Sequence, residues 1–349
     1  MRLPDEVQKC VVFFGLKKID EKTGVECVQY GGTGFFISVH STVPGATFAI
    51  LVTAAHVAQR LEHGEFYIRA NKKDGTAVEY RVDGGVDVVW HFHPTDESVD
   101  AAMAVWAPPF DDAVDYLCIG ANMFLDPQEM ERKRIGTGDE VYITGLFRAL
   151  YGARRNLPIV RSGNLAMLPV DRVPVRDWRT PDVAGYLVES RSIGGASGSP
   201  VFVQRSIKVQ AIEETGREPL AAGAIFWLGL VCGHWDERRV KSADEWGNKA
   251  IEVGLSVIIP CHRILEILDG DGIKNEMNTR EIAIQTDYYD AIMEGSSPCA
   301  VPPHNEQLAT AVMSAPALCD TSSAGLPDIK EITKPTGTNP TYDFDDIKG

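Results

Sequence analysis

Short apolar runs recur along the first 270 residues, and most of them alternate with polar positions or are bounded by glycine. Runs of about four to eight such residues are typical of β-strands. They fall into two groups of about six, separated by a proline-containing polar stretch at 107–134. The pattern predicts an all-β fold with two groups of strands, whose many short edges have to be paired or covered.

The end of the chain has a different pattern. Residues from Pro260 to Leu268, before Gly270, place Ile264 and Leu265 on one face with Leu268, which predicts an amphipathic helix. From about residue 294 the chain is rich in proline, serine, threonine, alanine and glycine, so we expect a mobile tail. The predicted organisation is an N-terminal β-half at 1–107, a linker at 108–134, a C-terminal β-half at 135–270, and a partly disordered extension at 271–349.

Composition narrows the classes of partner. The chain has 349 residues, of which 44% are apolar, and this is enough for a substantial core. Its net charge of −15 argues against nucleic acid or an anionic membrane as a partner. No apolar run reaches the roughly 18 residues of a spanning helix, and we see no secretion signal. The seven cysteines lack C-x-x-C spacing, so we expect reduced thiols and a cytoplasmic location.

One stretch carries candidate chemistry, namely the loop Ser192–Phe202, in which small residues flank Ser197. A serine becomes a strong nucleophile when a neighbouring base accepts its proton. Glycines let the backbone turn sharply, so that the N–H groups of Gly195 and Ser197 point at a developing oxyanion. The alternative is an ordinary glycine- and serine-rich loop before a strand.

Two further residues supply what such a serine needs. His56 follows an apolar strand, and Asp100 stands at the head of another, where a carboxylate can orient an imidazole. Asp87 and Asp96 are competing acids, but one lies inside a strand pattern and the other in a turn. His91 and His93, two residues apart, lack a third ligand at suitable spacing, so we expect them to face solvent and predict no metal or other cofactor.

The motifs T-A-A-H, V-D-x-A and G-A-S-G-S-P, in this order, resemble the trypsin-like serine peptidases of the chymotrypsin fold. The resemblance covers roughly residues 8–268. It implies two antiparallel six-stranded β-barrels, with the active site between them and a C-terminal helix on the second barrel. It also implies that His56 is the general base and acid, that Asp100 orients it, and that Ser197 is the nucleophile, with Gly195 and Ser197 as oxyanion donors.

Departures from the family pattern refine this prediction. Ala196 stands where secreted members carry the acid used in zymogen activation, so the chain resembles the bacterial and intracellular branch, without activation cleavage or disulfides. Arg191, Ser192, His234 and Trp235 fall where the family places its S1 pocket. His234 with Ser192 resembles the pair of glutamate-specific members, which favours acidic P1 residues. Alternatively, His234 only packs against or caps a strand.

Three functional hypotheses remain. The first is a serine endopeptidase acting on proteins or peptides. The second is a peptidase-fold binding module that is catalytically silent, or a peptidase that is active only with a regulatory partner. The third is an esterase using the same acyl-transfer chemistry. A cytoplasmic peptidase needs restraint, and we expect the extension at 271–349 to regulate access to the site.

Overall fold

The computed structural model describes residues 3–19, 24–42, 46–109, 113–168, 183, 185–190, 195–205, 224–237 and 251–293. Within these residues the fold is mostly β, and the strands fall into two separate sheets, as the sequence predicts. No helix in these ranges is long and apolar enough to cross a bilayer. The five cysteines they contain carry free thiols, and all except Cys27 are buried.

The C-terminal half forms a closed six-stranded antiparallel barrel. Its strand order is β10-β13-β12-β11-β8-β9. The strands are β8 (Glu140–Gly145), β9 (Ile159–Met167), β10 (Tyr186–Glu189), β11 (Pro200–Gln204), β12 (Ile225–Glu237) and β13 (Ile251–Pro260). Alternation along β11 sends Val201 and Val203 into the barrel interior, whereas Phe202 joins the core of the other half.

The N-terminal half is a seven-stranded antiparallel sheet with strand order β5-β4-β1-β2-β3-β7-β6. The strands are β1 (Val11–Ile19), β2 (Glu26–His40), β3 (Thr47–Thr53), β4 (Gly64–Asn71), β5 (Ala77–Gly84), β6 (His91–Phe92) and β7 (Ala102–Val105). The pairings therefore do not confirm a second closed barrel of six strands. An isolated bridge connects Gly84, the last residue of β5, to Val88 in the segment before β6.

Two segments differ from the predicted strand pattern. The strand expected at 86–93 is reduced to His91–Phe92, because the Asp83 carbonyl oxygen accepts from the N–H groups of Val86 and Asp87 and closes a turn. Residues 31–34 are a glycine-rich run of the kind that is typical of turns, but they lie inside β2. A Cβ atom on Gly34 would lie 2.5 Å from the Phe14 ring, so glycine is needed there for close packing.

Aromatic packing joins the two halves. Trp227 of β12 is fully buried, and its ring centroid lies 5.5 Å from that of Phe35 in β2. On its other side Phe124 packs at 5.2 Å. Edge-to-face contacts of this kind add to the stabilisation from buried area. This interface fixes β2 relative to the barrel and thereby sets the geometry of the site between them.

Four helices and three short 3-10 segments complete the described chain. The helices are α1 (Ala55–Ala58), α2 (Pro127–Lys133), α3 (Cys261–Leu265) and α4 (Asp271–Met293), and the 3-10 segments are Asp5–Cys10, Ala121–Met123 and Glu266–Asp269. Helix α2 lies within the predicted linker. Asp126 caps it by accepting from the Glu129 N–H at 2.7 Å.

One of the two C-terminal helices lies where it was expected, and the other was not predicted. Helix α3 contacts β12 and β13, as expected for a helix on the second barrel. However, α4 occupies the whole of the described part of the extension, and it bonds to the N-terminal half, since His91 Nε2 lies 2.8 Å from Glu276. The Thr42 hydroxyl likewise donates to Glu281 at 2.6 Å. The tail expected from residue 294 lies outside the described residues.

Candidate active site

Ser197 lies at the tip of a tight turn that leads into β11. The Ser199 N–H donates to the Ala196 carbonyl oxygen at 2.9 Å, so Ser197 and Gly198 are the central residues. Gly198 has φ +82°, which suits the third position of a type II turn, where glycine is preferred. Gly195, just before the turn, also has a positive φ of 100°. We call residues 195–199 the serine loop.

The serine loop is held between the two halves. On one side the Gly198 N–H donates to the Val231 carbonyl oxygen of β12 at 2.8 Å. On the other side the Thr33 N–H of β2 donates to the Ser197 carbonyl oxygen at 3.2 Å. A Cβ atom on Gly198 would lie 2.3 Å from the Thr53 hydroxyl oxygen, at the end of β3. Glycine is therefore required where the loop meets the strand that leads to His56.

His56 is bound to Asp100 by two hydrogen bonds. Its Nδ1 atom lies 2.7 Å from Asp100 Oδ2, and its backbone N–H donates to Oδ1 at 2.8 Å. Asp100 thus satisfies an N–H group in the first turn of α1, which Ala54 at the N-cap leaves without a side-chain partner. The ring is half-exposed, whereas the carboxylate is mostly buried, with 13% of its side-chain surface accessible. The pair fixes both the position and the orientation of the imidazole.

The surroundings keep Asp100 ionised. Burial alone would raise its pKa, but hydrogen bonds and charge from His56, together with a hydrogen bond from the Cys232 thiol, leave the pKa below its ordinary value. Burial and the neighbouring carboxylate raise the pKa of Cys232 well above its ordinary value. Cys232 therefore stays a neutral thiol and acts as a donor to Asp100. Cys232 directly follows Val231, whose carbonyl oxygen accepts the hydrogen bond from the Gly198 N–H of the serine loop.

Thr33 connects three segments of the site. Its hydroxyl donates to the Gly195 carbonyl oxygen at 2.9 Å and accepts from the Leu146 N–H at 3.0 Å. Its own carbonyl oxygen accepts from the Thr53 hydroxyl at 2.7 Å. With the backbone bond to Ser197, this buried residue makes four hydrogen bonds to elements around the serine loop.

A close contact supports the serine loop from within the barrel. Ser199 is fully buried, and its hydroxyl has no hydrogen-bond partner among the described residues. It packs against Gly145 at the end of β8, where a Cβ atom would lie 1.8 Å from the Ser199 oxygen. Gly145 thus provides the space that the side chain of Ser199 requires.

The structure separates the alternative residues from this site. Asp87 Oδ2 accepts from the Asp83 N–H, and Asp96 bonds Ser98 and pairs with Arg263 at 2.7 Å. Each of the paired histidines faces a glutamate instead of solvent. His91 Nε2 lies 2.8 Å from Glu276, and His93 Nε2 lies 2.8 Å from Glu266. Their exposure was therefore wrongly predicted, because no local pattern indicates that α4 and the 3-10 segment before it would cover them.

Two of the four predicted S1 positions, His234 and Trp235, lie in the described part of the chain. Arg191 and Ser192 lie outside the described residues. The backbone of His234 and Trp235 belongs to β12, where they pair with Ser256 and Leu255 of β13. This places both positions on the strand that bonds the serine loop, a few residues beyond Val231.

Sequence reasoning missed several contributors to the site. Thr33 was hidden in a glycine-rich segment that resembled a turn. Cys232 could have been noticed, since it lies in an apolar strand just before the predicted S1 positions. The Gly145–Ser199 contact has no local signal, because the two residues belong to different strands that meet only in the barrel.

The chain is similar to solved structures of a protease. The similar structures include Rv3671c protease in its inactive form, at 16% identity and a TM-score of 0.37 over 75% of this chain and 88% of that chain. They also include an inactive serine-to-alanine mutant of Rv3671c from M. tuberculosis H37Rv, at 17% identity and a TM-score of 0.37 over 76% and 87% of the two chains. The active form gives 15% identity and a TM-score of 0.37 over 75% and 80%. No protein-family model and no curated protein sequence matches the chain.

Proposed function

We propose that the chain is a serine endopeptidase that cleaves peptide bonds through an acyl-enzyme on Ser197. The observation that carries the proposal is the pair of hydrogen bonds between His56 and Asp100, beside the turn that contains Ser197. The close approach of Gly198 to Thr53 supports the proposal further, because the serine loop then lies at the end of the strand that leads to His56. His91 and His93 also pair with carboxylates, but His56 is the histidine at the end of the strand that meets the serine loop.

His56 acts as general base and then as general acid. With Nδ1–H donated to Asp100, the lone pair on Nε2 is free to accept the Ser197 proton. As that proton leaves, Ser197 Oγ bonds the substrate carbonyl carbon. His56 then gives the proton to the amine as the C–N bond breaks. Water, deprotonated by the same nitrogen, hydrolyses the ester and restores Ser197.

The N–H groups of Gly195 and Ser197 stabilise the tetrahedral intermediate. Donors fixed before the reaction need no reorganisation as charge develops on the oxygen. The hydroxyl of Thr33 supports this role by binding the Gly195 carbonyl oxygen, and the backbone N–H of Thr33 supports it at Ser197. Thr33 is accordingly a positioning residue, since it acts through the loop and does not touch the substrate.

The S1 pocket selects an acidic side chain in this proposal. His234 and Trp235 of β12, together with Arg191 and Ser192, would surround the P1 residue on the β12 side of the serine loop. A histidine, a hydroxyl and a guanidinium are all donors that bind a carboxylate well. The natural substrate is a protein or peptide, and no cofactor takes part in these steps.

Cleavage-site profiling tests this function directly. We would incubate the chain with a peptide mixture derived from a proteome and identify new termini by mass spectrometry, with Ser197→Ala and His56→Ala as controls. Cleavage in the wild type that both variants lose, with Asp or Glu enriched at P1, is the expected result. Ester hydrolysis without peptide cleavage would favour the esterase, and inactivity on both would favour the silent binding module. Activity that appears only in a cell extract would indicate the partner-dependent peptidase.

A further inference from the structure

A rigid, positively charged segment borders the serine loop. Residues 146–157, which we call the arginine loop, contain three arginines and no acidic residue. Arg69 of β4 anchors this loop by donating to the carbonyl oxygens of Gly152 and Ala153, at 2.8 and 3.0 Å. The Arg69 guanidinium carbon also lies over the rings of Tyr30 and Tyr151, 5.5 and 5.4 Å from their centroids. Arg69 is almost fully buried, so the arginine loop is fixed to the N-terminal sheet.

Arg148 lies where the arginine loop meets the serine loop. Its Cγ atom is 2.8 Å from the position a Cβ would occupy on Gly195, so the side chain lies directly over that glycine. Its Nη2 atom is 3.4 Å from the corresponding position on Gly31 in β2. Two glycines therefore leave a path along which the arginine stem reaches across the outer side of the serine loop. The residue itself is exposed, and its stem lies over Gly195, two residues before Ser197.

The other two arginines of the arginine loop already have acidic neighbours. Arg154 interacts electrostatically with Asp74, and Arg155 lines a cavity of about 130 Å³ together with Asp5 and Asp115. By contrast, no carboxylate in the described part of the chain forms an ion pair or hydrogen bond with Arg148. In a protein of net charge −15, an arginine over Gly195 that pairs with no carboxylate of the described residues is available for a ligand.

The position of Arg148 indicates which part of a substrate it meets. The serine loop lies between β12, bonded through Gly198, and β2, bonded through the Thr33 N–H to Ser197. In the proposed function the acyl part of the substrate occupies the β12 side, toward His234. The leaving part must then extend past the opposite side, where Arg148 lies above Gly195.

We infer that Arg148 is a specificity-determining residue that selects an acidic side chain on the leaving-group side of the scissile bond, at P1′ or P2′. This inference rests on the proposed peptidase function. A guanidinium presents paired N–H donors that match a carboxylate. Because Arg69 already fixes the backbone of the arginine loop at Gly152 and Ala153, little backbone freedom remains to be lost when the substrate binds.

Matched peptides test the inference. The acyl half is taken from a peptide that the wild type cleaves, and Glu, Gln or Lys is placed at P1′ or P2′. We expect the wild type to cleave the Glu peptide about three to ten times more efficiently than the Gln peptide, as kcat/KM, at one of these positions. The preference should fall as salt is raised, since the charges are near solvent. Arg148→Gln should abolish it, and Arg148→Glu should replace it with a preference for Lys.

Arg154→Gln is the matched control, because it removes the same charge from the same loop but lies beside Asp74. It should keep the preference of the wild type for Glu. An equal Glu-to-Gln ratio in the wild type and in Arg148→Gln, at both positions, would overturn the inference while leaving the peptidase function intact. Cleavage that persists in Ser197→Ala would overturn the proposed function and the inference with it.

Discussion

The Thr33 hydroxyl donates a hydrogen bond to the Gly195 carbonyl oxygen at 2.9 Å, and so connects β2 to the serine loop. The same hydroxyl accepts from the Leu146 N–H at 3.0 Å. All three residues are buried, so water cannot readily replace the Thr33 hydroxyl as the hydrogen-bond partner of the Gly195 carbonyl or the Leu146 N–H. One side chain of the N-terminal half therefore fixes the backbone that is proposed to stabilise the oxyanion.

Thr33→Val should impair catalysis while preserving the shape of the side chain. It leaves the Leu146 N–H and the Gly195 carbonyl buried without their partner, at a cost of about 1–3 kcal/mol for each group. We expect kcat for peptide cleavage to fall by about tenfold or more, with KM changed much less, because the oxyanion donors act mainly in the transition state. Thr33→Ser keeps the hydroxyl and should restore most of kcat. Equal kcat in Thr33→Val and wild type would contradict the positioning role.

Gly145 and Ser199 should behave as a coupled pair. Gly145→Ala places a methyl group 1.8 Å from the Ser199 oxygen, which must push β8 away from the serine loop. We expect a loss of about 1–3 kcal/mol in the free energy of unfolding, and lower activity. Ser199→Gly in the same chain removes the clashing atoms and should recover much of that loss. A double-mutant cycle measured by urea unfolding checks this, and strictly additive effects would refute the contact.

The sequence allowed the broad outline to be predicted but not the connections between distant segments. Alternating apolar runs identified most strands of both halves, and the spacing of small residues identified the serine loop. Thr33 was missed because a glycine-rich run is typical of a turn. Here the strand is continuous, and its glycines leave space for Phe14 and neighbouring side chains to pack against it. Helix α4 was missed because its sequence lacks a clear apolar face. Ile273 is nevertheless buried in the core, and polar contacts such as His91 with Glu276 add to the attachment.

Cys232 should be replaceable by serine but not by alanine. The thiol donates to the Asp100 carboxylate, and a serine hydroxyl can do the same. Cys232→Ala removes this donor from a buried charge, so we expect kcat to fall several-fold and the pKa of Asp100 to rise. Comparing kcat for the two variants checks the role. If alanine and serine reduce kcat equally, the thiol contributes only by packing.

The same cysteine should resist chemical modification in the folded protein. Its raised pKa keeps it protonated, and its side chain is buried, whereas Cys27 is exposed. Only the thiolate reacts quickly with iodoacetamide. Peptide mapping after brief treatment at neutral pH should therefore find Cys27 alkylated well before Cys232. Rapid alkylation of Cys232 in the native protein would contradict its described environment.

Asp100→Asn should separate catalysis from stability. An amide at this position favours the wrong tautomer of His56, so kcat should fall on the order of 10⁴-fold. The wild-type carboxyl has a lowered pKa in the folded state. Its contribution to stability is therefore fully present above the ordinary carboxyl pKa of about 4 and is lost as the pH falls through the lower folded value.

Urea unfolding at a series of pH values from neutral to acidic measures this contribution. The wild type should lose more free energy of unfolding than Asp100→Asn as the pH falls below about 4, because the variant lacks the titrating group. Parallel curves for the two proteins would show that Asp100 does not titrate differently on folding. That outcome would remove the electrostatic argument for a carboxylate held ionised beside His56.

The most direct test of the central claim is covalent labelling of Ser197 by a fluorophosphonate, with the modified residue identified by peptide mass spectrometry. The account predicts one labelled residue, Ser197, in the wild type. Labelling should be lost in Ser197→Ala and strongly slowed in His56→Ala, while Arg154→Gln should label like the wild type. Absence of labelling at Ser197, or labelling at an equal rate without His56, would contradict an assembled nucleophile and base.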